Sequence, residues 1–166
     1  MIKRLVLALT FALLASPAVL AAGKLSVNKE AVIDTDAATL WALVGNFGGL
    51  HTWHPAAKST DLTGDGTKAG DKRVLTLGDG GKIYETLEKQ DNKTMTQGYT
   101  ITESPLPVEN YHSTIHVEAA GDKQAKFMWS STFDPKGGAP DADAINAITG
   151  VYDGGIKALT DKFSPK

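Results

Sequence analysis

Cysteine is absent from the 166 residues, which removes disulfides, thiolate nucleophiles and zinc-thiolate sites together and leaves stability to packing. An excess of charge of one sign is also missing. Seventeen Lys and Arg stand against nineteen Asp and Glu with no basic cluster, which argues against nucleic acid or an anionic membrane surface as partner. No serine stands in a nucleophile elbow, and GDGTKAG (64–70) has the spacing of neither the dinucleotide fingerprint nor the P-loop. DLTGDG (61–66) opens like an EF-hand loop, but its twelfth position is Lys72, where a bidentate glutamate is required. Asn92-Lys93-Thr94 is an acceptor only in a host that glycosylates it. The expectation is a protein with no cofactor and no metal.

What is present begins with MIKRLVLALTFALLASPAVLAAGK. Lys3 and Arg4 precede an apolar run from Leu5 to Leu14, followed by Ser16, Pro17 and the small residues Ala18 to Ala22. This is the three-part pattern of a secretory signal peptide over residues 1–22, too short in its apolar part to span a bilayer, with cleavage expected next to Ala21 or Ala22. A permanent anchor is the competing reading; charges and glycines follow the run too soon for it. The expected location is the periplasm, with no membrane span after cleavage. Losing Lys3 and Arg4 takes the net charge from −2 to −4. Residues 23–166 are the size of one domain with a real core.

Along that domain the apolar period changes twice. Residues 24–33 alternate as an extended strand, with Leu25, Val27 and Lys29 on one face. Asp34, Thr35 and Asp36 offer N-caps to a helix carrying Leu40, Trp41, Val44 and Phe47, which should stop at Gly48 and Gly49. One more helical turn, packed by Leu50 and Trp53 and ended by Pro55, should follow. From Ala56 to Phe133 six antiparallel strands are expected, joined by turn sequences such as GDGGK (78–82) and AAGDK (119–123). Ile145, Ile148, Tyr152, Ile156, Leu159 and Phe163 then recur at helical spacing, on a helix begun by Pro140 and Asp141. Gly150, Gly154 and Gly155 interrupt it, each at a cost of about 1 kcal/mol against alanine. They imply either close approach of the helix to the sheet or space left over its concave face.

This order of elements, together with GNFGGLHTWHP (45–55), LTLGDGGKIYETLE (75–88) and ITESPLPVENY (101–111), resembles the polyketide cyclase/dehydrase branch of the SRPBCC superfamily, which includes the START domains and Bet v 1. The resemblance implies an α+β helix-grip fold: a curved antiparallel sheet of six to seven strands wrapped around a long C-terminal helix, with two short helices after the first strand. It also implies a cavity for an apolar or aromatic ligand. Among exported members the chain looks most like the MxaD-type periplasmic proteins, whose partners would be a periplasmic methanol or quinoprotein dehydrogenase or its cytochrome.

Strand alternation nominates the inward side chains independently of any family. Phe127, Trp129, Ser131 and Phe133 share a face, as do Tyr99, Ile101 and Glu103, and Tyr111, Ser113, Ile115 and Val117. Arg73 rides with Leu75 and Leu77, and Glu85 with Ile83 and Leu87; if both point inward they should pair, because an isolated buried charge is costly. A structural ion pair is the first reading of Arg73 and Glu85, a ligand-orienting or acid/base role the second. His112 and His116 fall on a polar face with Asn110, Thr114 and Glu118. His51 and His54, three apart on a short turn, lack a visible third ligand for a metal. His54, expected at the rim where the short helices meet the sheet, could orient a ligand or act as a general base.

The expected function is binding of a small apolar or aromatic molecule without covalent chemistry, in a cavity lined by Trp53, His54, Arg73, Glu85, Tyr99, Tyr111, Trp129 and Tyr152. Two alternatives are an accessory protein docking on a dehydrogenase or cytochrome, and a cyclase or dehydratase using His54, Glu85 and Arg73 in proton transfer.

Overall fold

The computed structural model describes residues 23–164; the expected signal peptide lies outside them. Strand β1 (Leu25–Ile33) leads into α1 (Ala37–Val44) and a 3₁₀ helix (Phe47–Thr52). Six strands follow: β2 (Ala57–Thr63), β3 (Lys72–Leu77), β4 (Lys82–Asp91), β5 (Thr96–Glu103), β6 (Val108–Gly121) and β7 (Gln124–Pro135). The described chain closes on α2 (Asp141–Phe163). All seven strands form one antiparallel sheet in the order β1-β7-β6-β5-β4-β3-β2. The chain therefore meanders from β2 to β7, and β1 adds to the far edge beside β7. Register shifts in β4 and β6 mark bulges, which bend a sheet, and the curved sheet grips α2 as the expected fold requires.

Alternation delivers the core. On β7, Phe127, Trp129, Ser131 and Phe133 are buried, and on β6 so are Tyr111, Ser113, Ile115 and Val117. From α2 come Ala144, Ile148, Tyr152, Gly155 and Leu159, all buried. Asp36 caps α1 by accepting the Thr39 N–H at 2.9 Å, as its place ahead of the helix suggested.

The first helix ends earlier than expected, at Gly45 rather than at Gly48 and Gly49. Gly45 donates its N–H to the Trp41 carbonyl at 2.8 Å, and a Cβ there would come within 2.5 Å of the Trp41 ring. Asn46 then starts the 3₁₀ helix by accepting the Gly48 N–H at 3.1 Å, so Phe47, Gly48 and Gly49 belong to that second helix. The EF-hand-like stretch is a turn whose carboxylates are spent on backbone amides: Asp65 and Asp71 both accept the Thr67 N–H, each at 3.0 Å.

The glycines of α2 divide. Gly155 is a close approach: a Cβ would stand 2.8 Å from His54 and 2.9 Å from Trp129. Gly150 faces open space, and Gly154 comes no nearer than 4.0 Å to Pro55.

Candidate functional site

Between α2, the 3₁₀ helix and strands β3 to β6, packing leaves a cavity of about 200 Å³. Its walls are aliphatic for the most part. Leu50 comes from the 3₁₀ helix, Leu75 and Leu77 from β3, Ile83 from β4, Ile101 from β5, and Ile148 and Val151 from α2. Leu106, from the proline-held loop between β5 and β6, closes one side, and Ala56 and Ala57 another. Leu77, Ile101, Leu106 and Val151 are half-buried, which places the mouth at this end. Wider hollows lie on the outer surface. One groove on the sheet's other face, about 430 Å³ bordered by Ser26, Thr114, Ser130 and Thr132, is a shallow hollow open to solvent, unlike the enclosed space a small apolar ligand needs.

Five of the eight side chains nominated from the sequence line the cavity: His54, Glu85, Tyr99, Tyr111 and Trp129. Three do not. Trp53 packs behind the wall, its ring 5.7 Å from that of Trp129 and 6.2 Å from that of Phe127. Tyr152 is stacked on Trp129 at 4.2 Å and fully buried. Arg73 stands behind Glu85, so parity told which face each side chain takes but not how deep in that face it lies. Conversely, Leu50, Leu106 and Ile148 line the cavity, and their signal in the sequence is size and branching rather than chemistry. Gln97, on the same face as Tyr99 and fully buried, is no part of the site: its amide donates to the Gly45 carbonyl at 2.9 Å and to Gln90 at 2.8 Å.

Arg73 and Glu85 are paired, as an inward orientation demanded. Arg73 Nε donates to Glu85 Oε2 at 2.5 Å, and Nη1 donates to the Phe47 carbonyl at 2.6 Å. The guanidinium also lies 4.2 Å from the Phe47 ring centroid and 5.0 Å from that of Tyr99, where aromatic faces stabilise a desolvated cation. Its Nη2 has no hydrogen-bond partner among the described residues. Burial pushes the Glu85 carboxyl above its ordinary range, and the Arg73 charge opposes that shift.

His54 belongs to the wall, not the rim, being 4 % exposed. Nδ1 accepts the Ala56 N–H at 3.2 Å and Nε2 donates to the Val151 carbonyl at 2.9 Å, which assigns the neutral tautomer. Burial lowers its pKa, with the Val151 bond opposing and the Arg73 charge assisting. Both nitrogens are thus occupied, and no lone pair is free for a general base. His51 is exposed and bonds Thr60 at 3.0 Å. His112 and His116 lie on the outer face as expected, beside Glu88 and Thr96 respectively. Among the described residues no three His, Asp or Glu side chains gather to hold an ion.

At the closed end of the cavity lies a chain of hydroxyls. Tyr111 Oη is 2.7 Å from Tyr152 Oη, Tyr152 Oη is 3.0 Å from Ser113 Oγ, and Ser113 donates to the Ser130 carbonyl at 2.9 Å. Trp129 Nε1 is shared between Ser113 Oγ and Tyr99 Oη, at 3.0 Å each. Burial raises the pKa of Tyr99 and Tyr111 well above the phenol range and that of Tyr152 to about 12, so all three remain neutral phenols.

Comparison with known proteins agrees with this architecture. Residues 24–164 match the family described as polyketide cyclase / dehydrase and lipid transport. A Bacillus cereus structure named XoxI is 34% identical with a TM-score of 0.77, covering 83% of this chain and 94% of its own. A putative uncharacterized protein from Bacillus thuringiensis is also 34% identical, with a TM-score of 0.79 over 85% of this chain and 100% of its own. A START superfamily protein from Mycobacterium smegmatis shares the fold at 14% identity, with a TM-score of 0.69 over 83% of this chain and 96% of its own. A search of curated proteins finds no match.

Proposed function

Because the chain belongs to the polyketide cyclase / dehydrase and lipid transport family, we propose that it is an exported, periplasmic helix-grip protein that holds one small apolar or aromatic molecule without covalent chemistry. The observation that carries this reading is the aliphatic cavity of about 200 Å³ under α2. An engineered apolar cavity of about 150 Å³ stays dry and takes up benzene, so the space here suits a single substituted ring or a short chain. The polar groups around it support binding over turnover. His54 has both nitrogens bonded and Glu85 is held by Arg73, which leaves the cyclase or dehydratase reading without a free base.

A thermal melt with saturating toluene tests the cavity. Toluene at about 100 times its dissociation constant should stabilise the fold by about 2.7 kcal/mol, and an unchanged melt across benzene, toluene and cyclohexane would contradict the reading. Export rests on Lys3, Arg4 and the apolar run that follows. The intact mass from a periplasmic fraction should lack residues 1–21 or 1–22, whereas a full-length mass confined to the cytosol would overturn it. The dehydrogenase or cytochrome partner rests only on the likeness of the chain to the MxaD-type exported proteins. Co-purification of such an enzyme from periplasmic extract is its test, and repeated absence of one would end it.

A further inference from the structure

The closed end of the cavity is more specific than its walls, and proton bookkeeping shows how. The Ser130 carbonyl can only accept, so Ser113 spends its proton there. Ser113 Oγ then accepts from Tyr152 and Trp129, which fills both lone pairs. Tyr152 has therefore used its proton on Ser113, and Tyr111 must donate to Tyr152. This is the only arrangement in which all of these bonds form together. It leaves Tyr111 Oη with lone pairs and no donor. Tyr99 is in the opposite condition: its oxygen accepts from Trp129, and its own proton cannot go to the filled Ser113. Both phenols line the cavity and are 2 % and 3 % exposed.

We propose that Tyr99 and Tyr111 form a donor-acceptor pair for one neutral hydroxyl, so that the preferred occupant is a compact phenol or alcohol rather than a hydrocarbon or a carboxylate. The ligand oxygen accepts from Tyr99 and donates to Tyr111, while its apolar body lies among Leu75, Ile83 and Ile148. A hydroxyl matches this pair because it is one donor and one acceptor on a single atom. A hydrocarbon leaves both buried groups unmet. A carboxylate is rejected twice, by the loss of its hydration in an apolar space and because it has no proton to give Tyr111.

The inference rests on the cavity reading above but fails separately from it. The probes are p-cresol, toluene and p-toluate, which share one ring and differ in the polar group, titrated calorimetrically into the purified protein at pH 7. The expected order is p-cresol tighter than toluene by about five- to tenfold, the worth of a net hydrogen bond, with p-toluate not binding. Tyr99→Phe should erase the p-cresol preference, bringing p-cresol and toluene to the same affinity. Trp129 Nε1 keeps Ser113 in that variant, so no new orphan is created and the fold should persist. Tyr111→Phe gives an independent second reading of the same loss. Equal affinity for p-cresol and toluene, retention of the preference in both variants, or binding of p-toluate as tight as p-cresol overturns the hydroxyl pair while leaving the cavity standing. Failure of both p-cresol and toluene to bind overturns the pair and the cavity together.

Discussion

The interior beneath β1 and β7 is filled, whereas the interior beneath β3, β4 and β5 is hollow. On the filled side Trp53, Phe127, Trp129 and Tyr152 meet ring against ring at centroid distances of 4.2 to 6.2 Å. On the hollow side the sheet presents Leu75, Leu77, Ile83 and Ile101 around a void. Flat rings tile edge to face and bury large areas, and Gly155 lets the helix backbone come down on Trp129. α2 lies against β1 and β7, and the aliphatic side chains of β3, β4 and β5 do not fill the space left on their side. The contrast divides one core in two: the aromatic half packs the helix on the sheet, and the aliphatic half leaves a void.

The largest expected effect falls on the ion pair between the two halves. Arg73→Ala leaves Glu85 buried without its partner and should cost about 3–5 kcal/mol of stability in urea unfolding; a cost below about 1 kcal/mol would show that the carboxyl takes up a proton or reaches water once Arg73 is gone. Next comes a direct comparison of the halves. Phe127→Ala should cost about 3–5 kcal/mol because its neighbours close it in on every side, whereas Leu75→Ala, which already faces a void, should fall near the low end of about 2–5 kcal/mol. Equal losses would erase the distinction between a filled and a hollow side. Within α2, Gly155→Ala should destabilise by about 1–3 kcal/mol through overpacking against His54 and Trp129, and Gly150→Ala, facing open space, should stabilise by about 1 kcal/mol. Thermal melts of the two variants would show shifts of opposite sign.

The smallest effect is in pH. His54 has its pKa lowered by burial, so the unfolded chain takes up its proton first, near the ordinary histidine value of about 6.5. Its contribution is complete above that value and is lost as pH falls below it. Between pH 7.5 and pH 5 the protein should lose more stability than His54→Gln, and parallel curves would mean that His54 is protonated in the folded state.

Most of the fold was legible in the sequence because two periods carry it. Alternation on FMWSSTF and NYHSTIHVE identified the inward faces, and helical spacing from Ile145 to Phe163 identified α2. The end of α1 was not, because Gly45 is already the C-cap and Asn46 leaves helical geometry to start the 3₁₀ helix, three residues before the glycine pair that reads as the stop. The site was half legible. Parity brought Glu85, Tyr99, Tyr111 and Trp129 to the interior correctly, but it cannot say which inward side chains meet each other and which meet empty space. Trp53 and Tyr152 were nominated for their chemistry and are consumed in packing; Leu50, Leu106 and Ile148 line the void without any chemical signature.

The most direct test of the hollow half is a methyl NMR titration with toluene. Saturable shifts concentrated on the methyl groups of Leu50, Leu75, Ile83, Leu106 and Ile148, with those of Leu40 and Leu159 in the filled core unmoved, are the result expected here. Shifts spread over the outer face of the sheet, or none at any concentration, would contradict an internal binding cavity.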